Sequence, residues 1–158
     1  MEGENRIEGV VVRKLEKYHD ERGWLAEVFR SDEWPAETMP EMGYVSVTKP
    51  GVTRGPHEHV DQTDVFCFPG PGTFEVRLWD RRPDSPTNGK ALVFSAGAEN
   101  PAVVVIPPGV VHGYRNISEE NALVINLPNR LYRGQGKAEE VDEIRHEDDP
   151  DSPYRFDD

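Results

Sequence analysis

The sequence lacks most of what would mark a secreted, membrane-bound or disulfide-stabilised protein. Its 158 residues include a single cysteine, Cys67, so an intramolecular disulfide is excluded and a reducing compartment is expected. Cys67 stands in an apolar run, which predicts a buried thiol rather than a nucleophile. No stretch approaches the roughly 18 apolar residues of a membrane span, and the first residues are polar and acidic. We therefore expect a cytoplasmic protein that does not enter a membrane.

Positive charge is also scarce. There are 18 basic and 30 acidic residues, which give a formal net charge of −12. Binding to nucleic acid requires clustered positive charge, so we expect no nucleic-acid partner. An anionic ligand would have to be bound by individual arginines. The length predicts one domain over residues 1–158, with a polar, acidic segment from about residue 135.

Helical patterns are rare, and only residues 32–37 suggest a helical turn. Roughly nine or ten short strands separated by proline and glycine turns predict an all-β sandwich or barrel. A hairpin is predicted where the turn Pro69-Gly70-Pro71-Gly72 separates two apolar stretches. The main predicted strands are residues 7–15, 24–29, 44–48, 65–68, 73–79, 91–95, 102–106 and 122–127.

Histidines stand in two similar settings. Gly51 is followed after five residues by His57 and then by His59, and a strand would place both histidines on one face. The second setting is Pro107-x-Gly109-x-x-His112-x-x-x-Asn116. These spacings resemble the two cupin motifs, and the resemblance implies a cupin, that is, a double-stranded β-helix or jelly-roll barrel in which the three histidines converge.

One chemistry for such a cluster is metal binding. In metal-containing cupins the ligands are the two histidines of the first motif, an acid a few residues later and the histidine of the second motif. Here these would be His57, His59, Asp64 and His112, with Gln62 as a substitute for the acid. Such ligands suit a divalent transition metal such as iron, manganese, nickel or zinc.

The competing chemistry is proton transfer without a cofactor. His57 would abstract a proton next to a carbonyl, and Arg54 or His112 would stabilise the enolate that forms. A purely structural arrangement is the third alternative. In it, His59 and His112 would line the barrel and be satisfied by each other or by the amides of Gln62 and Asn116.

Further stretches carry a resemblance over most of the chain. Residues 20–27 resemble the segment D-x-R-G-x-F-x-E, and residues 46–57 resemble S-x-S followed by R-G-L-H. Residues 81–89 resemble L-R-x-x-S-P-T-x-G, residues 107–114 resemble P-x-G-F-A-H-G-F, and residues 149–156 weakly resemble a closing D-P…I-x-W. In this order the segments are similar to those of the dTDP-4-dehydrorhamnose 3,5-epimerase family of sugar-nucleotide cupins.

The resemblance implies a homodimer that binds a nucleotide-linked 4-keto-6-deoxy sugar and inverts carbons flanking its ketone. His57 takes the position of the catalytic base. Arg22 and Arg54 would contact the diphosphate, for which a bidentate arginine is well suited, and Glu27 would lie near the nucleoside. Salt bridges are the structural alternative for both arginines. The other predicted substrate-binding residues are His59, Gln62 and Asn126.

The sequence also departs from the family pattern. Ile125 or Asn126 stands where the family has a proton-donating tyrosine, and Asp64 replaces a family lysine. The family's aspartate partner of the base comes from a C-terminal extension, whereas this sequence stops at Asp158, soon after Phe156. We predict Tyr132 and His112 as catalytic residues beside the base, with Tyr114 or water as other proton donors. The predicted function is a sugar-nucleotide epimerase or ketoisomerase. The alternatives are a metal-dependent cupin enzyme and a non-catalytic cupin that binds nucleotide sugars.

Overall fold

The computed structural model describes residues 5–157, so residues 1–4 and Asp158 of the predicted domain lie outside the described part. No helix in that part is long and apolar enough to cross a membrane. Short 3-10 helices occupy Ala36–Thr38, Gln135–Lys137 and His146–Asp148. The strands of residues 5–157 are β1 (Val11–Lys14), β2 (Tyr18–Asp20), β3 (Gly23–Leu25), β4 (Tyr44–Thr48), β5 (Thr53–Glu58), β6 (Asp64–Phe68), β7 (Thr73–Asp80), β8 (Ala91–Gly97), β9 (Ala102–Ile106), β10 (Val110–Asn116), β11 (Ala122–Asn126) and β12 (Ile144–Arg145).

Two five-stranded antiparallel sheets form the barrel. One has the strand order β1-β9-β6-β11-β4 and the other has β12-β5-β10-β7-β8, while β2 and β3 pair as a separate hairpin. The main core lies between the sheets and includes Phe66, Phe74 and Tyr114, whose rings pack edge to face. The predicted all-β cupin architecture is confirmed.

The burial of each strand follows from its neighbours. In β7 the buried side chains of Phe74, Val76 and Leu78 alternate with half-buried polar ones, because one face meets the core. β6 is buried on both faces, since a second apolar cluster covers its outer side. Cys67 belongs to that cluster, and burial raises the pKa of its thiol to about 11. The prediction of a buried thiol is therefore confirmed.

The predicted hairpin across residues 69–72 is wrong. β6 pairs with β9 and β11, whereas β7 pairs with β8 and β10 in the other sheet. The turn therefore carries the chain from one sheet to the other. Gly72 has a φ of +79°, and a Cβ at this position would overlap Ala122 of β11, so the turn requires glycine.

Smaller differences occur near the N-terminus. The strand expected over residues 24–29 ends at Leu25, and the helical turn expected over residues 32–37 lies at Ala36–Thr38 instead. The strands predicted over residues 44–48 and 102–106 are found with those bounds.

The polar, acidic segment predicted from about residue 135 contributes a strand. β12 pairs with β5, so that Arg145 lies opposite His57. Just before β12, the Asp142 carboxylate accepts hydrogen bonds from the backbone N–H groups of residues 60, 61 and 62 at 2.7, 2.9 and 3.0 Å. The segment is thereby fixed across the end of the barrel that carries the histidines.

Candidate active site

The pairing of β5 with β10 brings the histidines together. His57 lies directly opposite His112, and their ring centroids are 4.6 Å apart. His59 follows β5, with its ring centroid 5.5 Å from that of His57. Gly55 permits this close approach, since a Cβ there would lie 2.7 Å from the carbonyl oxygen of His112. The convergence of the three histidines follows from this register.

Asp64, at the start of β6, connects the histidines. Its Oδ2 lies 2.9 Å from His59 Nε2 and 3.1 Å from His112 Nε2. Its Oδ1 accepts hydrogen bonds from Gln62 Nε2 at 2.7 Å and Asn126 Nδ2 at 3.0 Å. Burial alone would raise the pKa of Asp64, but the hydrogen bonds from His112 and His59 hold it well below its usual range. The carboxylate is therefore ionised and has partners on both oxygens.

The environments of His57 and His59 differ in their effect on protonation. Burial, together with the nearby His112 and His59, lowers the pKa of His57 to about 2, so this imidazole is neutral. Burial also disfavours the charged form of His59, but Asp64 outweighs it and raises the pKa of His59 to about 9. His57 Nδ1 lies 3.6 Å from Glu143 Oε1, just before β12.

A cleft opens above the histidines. Its larger part encloses about 650 Å³ and is lined by both apolar and polar residues, among them His57, His59, Gln62 and Tyr132. A smaller adjoining cavity of about 360 Å³ contains Arg54. The residues that line both cavities are Tyr44, His57 and Glu143.

The predicted site residues are distributed around this cleft in three groups. His57, His59, Gln62 and Tyr132 line the larger cavity, and Arg54 lines the smaller one. His112 and Asn126 lie beneath the cleft, in contact with Asp64. Arg22 and Glu27 line neither cavity. Arg22 is 81% exposed and pairs with Asp20 at the turn between β2 and β3, and Glu27 lies 3.6 Å from Arg30.

The structural alternative that paired the histidines with Asn116 is wrong. Asn116 Nδ2 donates instead to the backbone carbonyls of Thr48 and Glu120 and stabilises the connection between β10 and β11. The side-chain neighbour that His59 and His112 share is Asp64, which the sequence marked only as an alternative metal ligand.

Two residues of the cleft were missed in the sequence. Tyr44 lies opposite Asn126 in the pairing of β4 with β11, and its hydroxyl accepts a hydrogen bond from Asn126 Nδ2 at 3.0 Å. Burial raises the pKa of this phenol above its ordinary value. The alternation of β4 marked Tyr44 as a strand residue, but only the strand register places it beside the position of the family tyrosine. Glu143 stands in a polar segment that carries no such signal.

The cluster has the donors of a transition-metal site. His57, His59, Asp64 and His112 each offer one ligand atom, and these atoms all lie within 4.8 Å of one another. A second group, His57 with Glu143 and Glu147, is more exposed. The arrangement thus provides both a neutral imidazole at a cleft and a potential cation site beneath it.

Comparisons with known proteins agree with this architecture. The sequence profile of one family, described as dTDP-4-dehydrorhamnose 3,5-epimerase, matches residues 4–150. A probable low-salt glycan biosynthesis epimerase of Haloferax volcanii is 44% identical over 135 residues, which are 85% of this chain and 86% of the relative. A spore coat polysaccharide biosynthesis protein of Bacillus subtilis is 40% identical over 128 residues, which are 80% of this chain and 82% of the relative.

A solved structure supports the same relationship. The crystal structure of a dTDP sugar isomerase from Desulfovibrio desulfuricans superimposes with a TM-score of 0.81 and 28% sequence identity. The match covers 94% of this chain and 91% of the other. The relationship therefore includes the β-barrel and the segment that crosses its end.

Proposed function

Because this chain belongs to the dTDP-4-dehydrorhamnose 3,5-epimerase family, and so to the sugar-nucleotide epimerases and isomerases, we propose that it inverts or isomerises a carbon next to the ketone of a nucleotide-linked 4-keto-6-deoxy sugar. One observation carries the proposal. The neutral His57 lines both cavities, so a substrate that occupies both would lie against its imidazole ring.

His57 is the general base of the proposed reaction. A neutral imidazole accepts a proton from a carbon made acidic by the adjacent ketone. The Glu143 carboxylate, 3.6 Å from Nδ1, stabilises the imidazolium that forms. This gives the base an acidic partner from the segment before β12, in place of the C-terminal aspartate of the family.

The returning proton comes from a tyrosine at the cleft. Of the three phenols that line the cavities, those of Tyr44, Tyr114 and Tyr132, we assign this role to Tyr44, because its oxygen accepts a hydrogen bond from Asn126 and its own proton is left to be donated. Tyr132, the donor expected from the sequence, is 54% exposed on the rim of the larger cavity. We therefore expect Tyr44→Phe to impair inversion more than Tyr132→Phe does.

Arg54 binds the diphosphate in the smaller cavity. Its guanidinium is oriented by Thr48 Oγ1 at 2.8 Å and by the carbonyl of Val47 at 3.0 Å. Two of its donors are used in this way, and the side chain lines the cavity next to His57. An acidic protein needs such a local cation for an anionic substrate.

Arg22 and Glu27 can contact a substrate in this cleft only if they come from a second copy of the chain. Both lie outside the cleft, and the hairpin and β4 expose large apolar side chains. A homodimer that covers this surface would remove it from water and carry the hairpin of one protomer toward the cleft of the other. The exposed side chains are Tyr18, Trp24, Leu25, Val45 and Val47.

The proposed location is the cytoplasm. The free thiol of Cys67 is buried and persists in a reducing compartment, and nucleotide sugars are soluble substrates that need no membrane. A fractionation of cells that express the chain from its own promoter tests this location.

The reaction is tested by incubation with dTDP-4-keto-6-deoxyglucose in heavy water. We expect deuterium at carbon 3, carbon 5 or both, and a loss of about 100-fold or more in exchange rate for His57→Asn, since a general base contributes about 10²- to 10⁴-fold. A folded protein that binds thymidine diphosphate without any exchange would overturn the proposed reaction and support a binding module. Migration of the carbonyl instead of inversion would identify a ketoisomerase.

A further inference from the structure

The two imidazoles that meet at Asp64 share an unusual arrangement of partners. His59 Nε2 and His112 Nε2 lie 2.9 and 3.1 Å from the same carboxylate oxygen, Oδ2. The other ring nitrogen of each histidine faces a backbone carbonyl. His112 Nδ1 lies 3.0 Å from the carbonyl oxygen of Val110, and His59 Nδ1 is in close contact with that of Asp142. Each of the four ring nitrogens therefore faces an oxygen that only accepts hydrogen bonds, while the amide nitrogen of Gln62 lies farther away, 3.4 Å from His59 Nε2.

Protons alone satisfy this arrangement poorly. A neutral imidazole carries one N–H, so two neutral rings would leave two nitrogen lone pairs directed at oxygen lone pairs. One imidazolium would still leave one such contact. Two imidazoliums would place two positive charges beside one carboxylate in a site where the side chains of His59 and His112 are only 10% and 3% exposed.

We propose that His59, Asp64 and His112 bind one divalent transition-metal ion through Nε2, Oδ2 and Nε2. The carbonyls of residues 110 and 142 then accept the Nδ1–H of each ring and leave both Nε2 lone pairs for the metal. A histidine ligand usually donates its second nitrogen in this way, which fixes its tautomer and orientation. Two histidines and one carboxylate form a known ligand set for iron and related metals.

The distances agree with this assignment. Ligands about 2.1 Å from a metal and at right angles to each other are roughly 3 Å apart. The two nitrogen-to-oxygen separations of 2.9 and 3.1 Å match that value. On the other carboxylate oxygen, Gln62 and Asn126 donate hydrogen bonds and hold the group so that Oδ2 faces the histidines.

His57 is left as the base and not as a ligand in this proposal. Its ring lies at the cleft, where it faces Glu143, and the three ligands lie beneath and beside it. Three protein ligands leave coordination positions open, and these would be taken by water or by oxygen atoms of a molecule in the cleft. The metal assignment rests on the contacts of these three ligands and does not require the proposed reaction.

The test measures metal binding directly. Untagged protein is freed of metal with a chelator and titrated with Co²⁺, which reports its coordination through visible absorption. We expect about one equivalent of Co²⁺ per chain and a higher melting temperature when it is bound. His59→Gln and Asp64→Asn should weaken binding by more than about 100-fold, since even changes outside the ligand shell cost about 10- to 100-fold.

Two control variants separate the metal site from folding and from catalysis. Asp80→Asn removes a buried carboxylate that is hydrogen-bonded to Arg82, Ser85 and Thr87 rather than to the histidines, and this variant should bind Co²⁺ like the unaltered protein. His57→Asn should also keep Co²⁺ while it loses deuterium exchange. A loss of Co²⁺ in His57→Asn equal to that in His59→Gln would overturn the three-residue assignment.

Failure of the metal proposal is distinct from failure of the proposed reaction. If chelated, folded protein takes up no Co²⁺ but still exchanges deuterium into the sugar, the metal site is wrong and the epimerase function stands. If Co²⁺ binds with the expected loss in His59→Gln but no exchange occurs, the metal site stands and the reaction is wrong.

Discussion

Two buried carboxylates in this barrel are equally well supplied with hydrogen-bond donors, yet only one lies beneath a cleft. Asp80, at the end of β7, accepts bonds of 2.6 to 3.1 Å from Arg82, Ser85 and Thr87. Those partners keep their protons at any ordinary pH. Asp64 is held by two imidazoles, which gain or lose protons or bind a metal. The chemistry of the partners, more than burial, separates the structural carboxylate from the functional one.

The largest expected effect is on catalysis through Asp64. In Asp64→Asn the charge that organises His59 and His112 is lost, and the new amide group lies beside Gln62 and Asn126, which already donate hydrogen bonds to this position. We expect the rate of deuterium exchange per folded molecule to fall by about 100-fold or more. Circular dichroism establishes the folded fraction. An exchange rate within a few-fold of the unaltered protein would remove the functional distinction between the two carboxylates.

Asp80→Asn is the matched substitution at the structural carboxylate. The substitution leaves the partly buried guanidinium of Arg82 without the carboxylate it pairs with, so the free energy of unfolding should fall by about 3 kcal/mol. The melting temperature should then drop by roughly 6 to 12 °C. Exchange per folded molecule should stay within about twofold. A loss of exchange in fully folded Asp80→Asn would show that the loop of residues 81–89 contributes to the site.

The same comparison has a pH dependence. Burial opposes ionisation of Asp80, but Arg82, Ser85 and Thr87 hold its pKa below the ordinary value. The main chain of Glu8 adds bonds to Thr87 and Arg82. A lowered pKa in the folded state gives stability that is present above about pH 4 and is lost as the pH falls further.

The difference in unfolding free energy between the unaltered protein and Asp80→Asn should therefore shrink between about pH 5 and pH 2. Urea denaturation across this range measures it. A difference that stays constant would mean that Asp80 is not ionised in the folded state.

The smallest effect on the rate of deuterium exchange is expected for substitution of a third, more exposed carboxylate, that of Glu143. At 3.6 Å from His57 it supports the protonated base without a short hydrogen bond, so Glu143→Gln should slow exchange by about tenfold. The Michaelis constant should change little, because the effect lies in the proton transfer. Glu147→Gln, a control in the same cavity, should retain its exchange rate. Equal losses in both variants would indicate a general charge effect.

The sequence predicted the barrel and the convergence of histidines, because both depend on local patterns. Alternation predicted β4, a continuous apolar run predicted β9, and the spacing from Gly51 to His59 placed two histidines on one face. The hairpin after β6 was wrong, since a turn sequence does not reveal whether the chain crosses to the other sheet. Tyr44 was missed because its role depends on the register with Asn126.

The contribution of the last part of the chain was the hardest to predict. Residues 142 and 143 carry no apolar periodicity, and they reach the histidines through contacts about 80 residues apart in sequence. Only folding brings the Asp142 carboxylate to the backbone N–H groups that bind it. No pattern within the segment itself marks Glu143 as a neighbour of His57.

The clamp formed by Asp142 has a consequence for how the protein is made. The strands that form the two sheets are complete once residue 126 has left the ribosome, apart from β12. The acceptor for His59 and the acidic neighbour of His57 are synthesised later. A nascent chain thus acquires most of its barrel before its catalytic centre, so the capacity for chemistry arises only after residue 143 has been added.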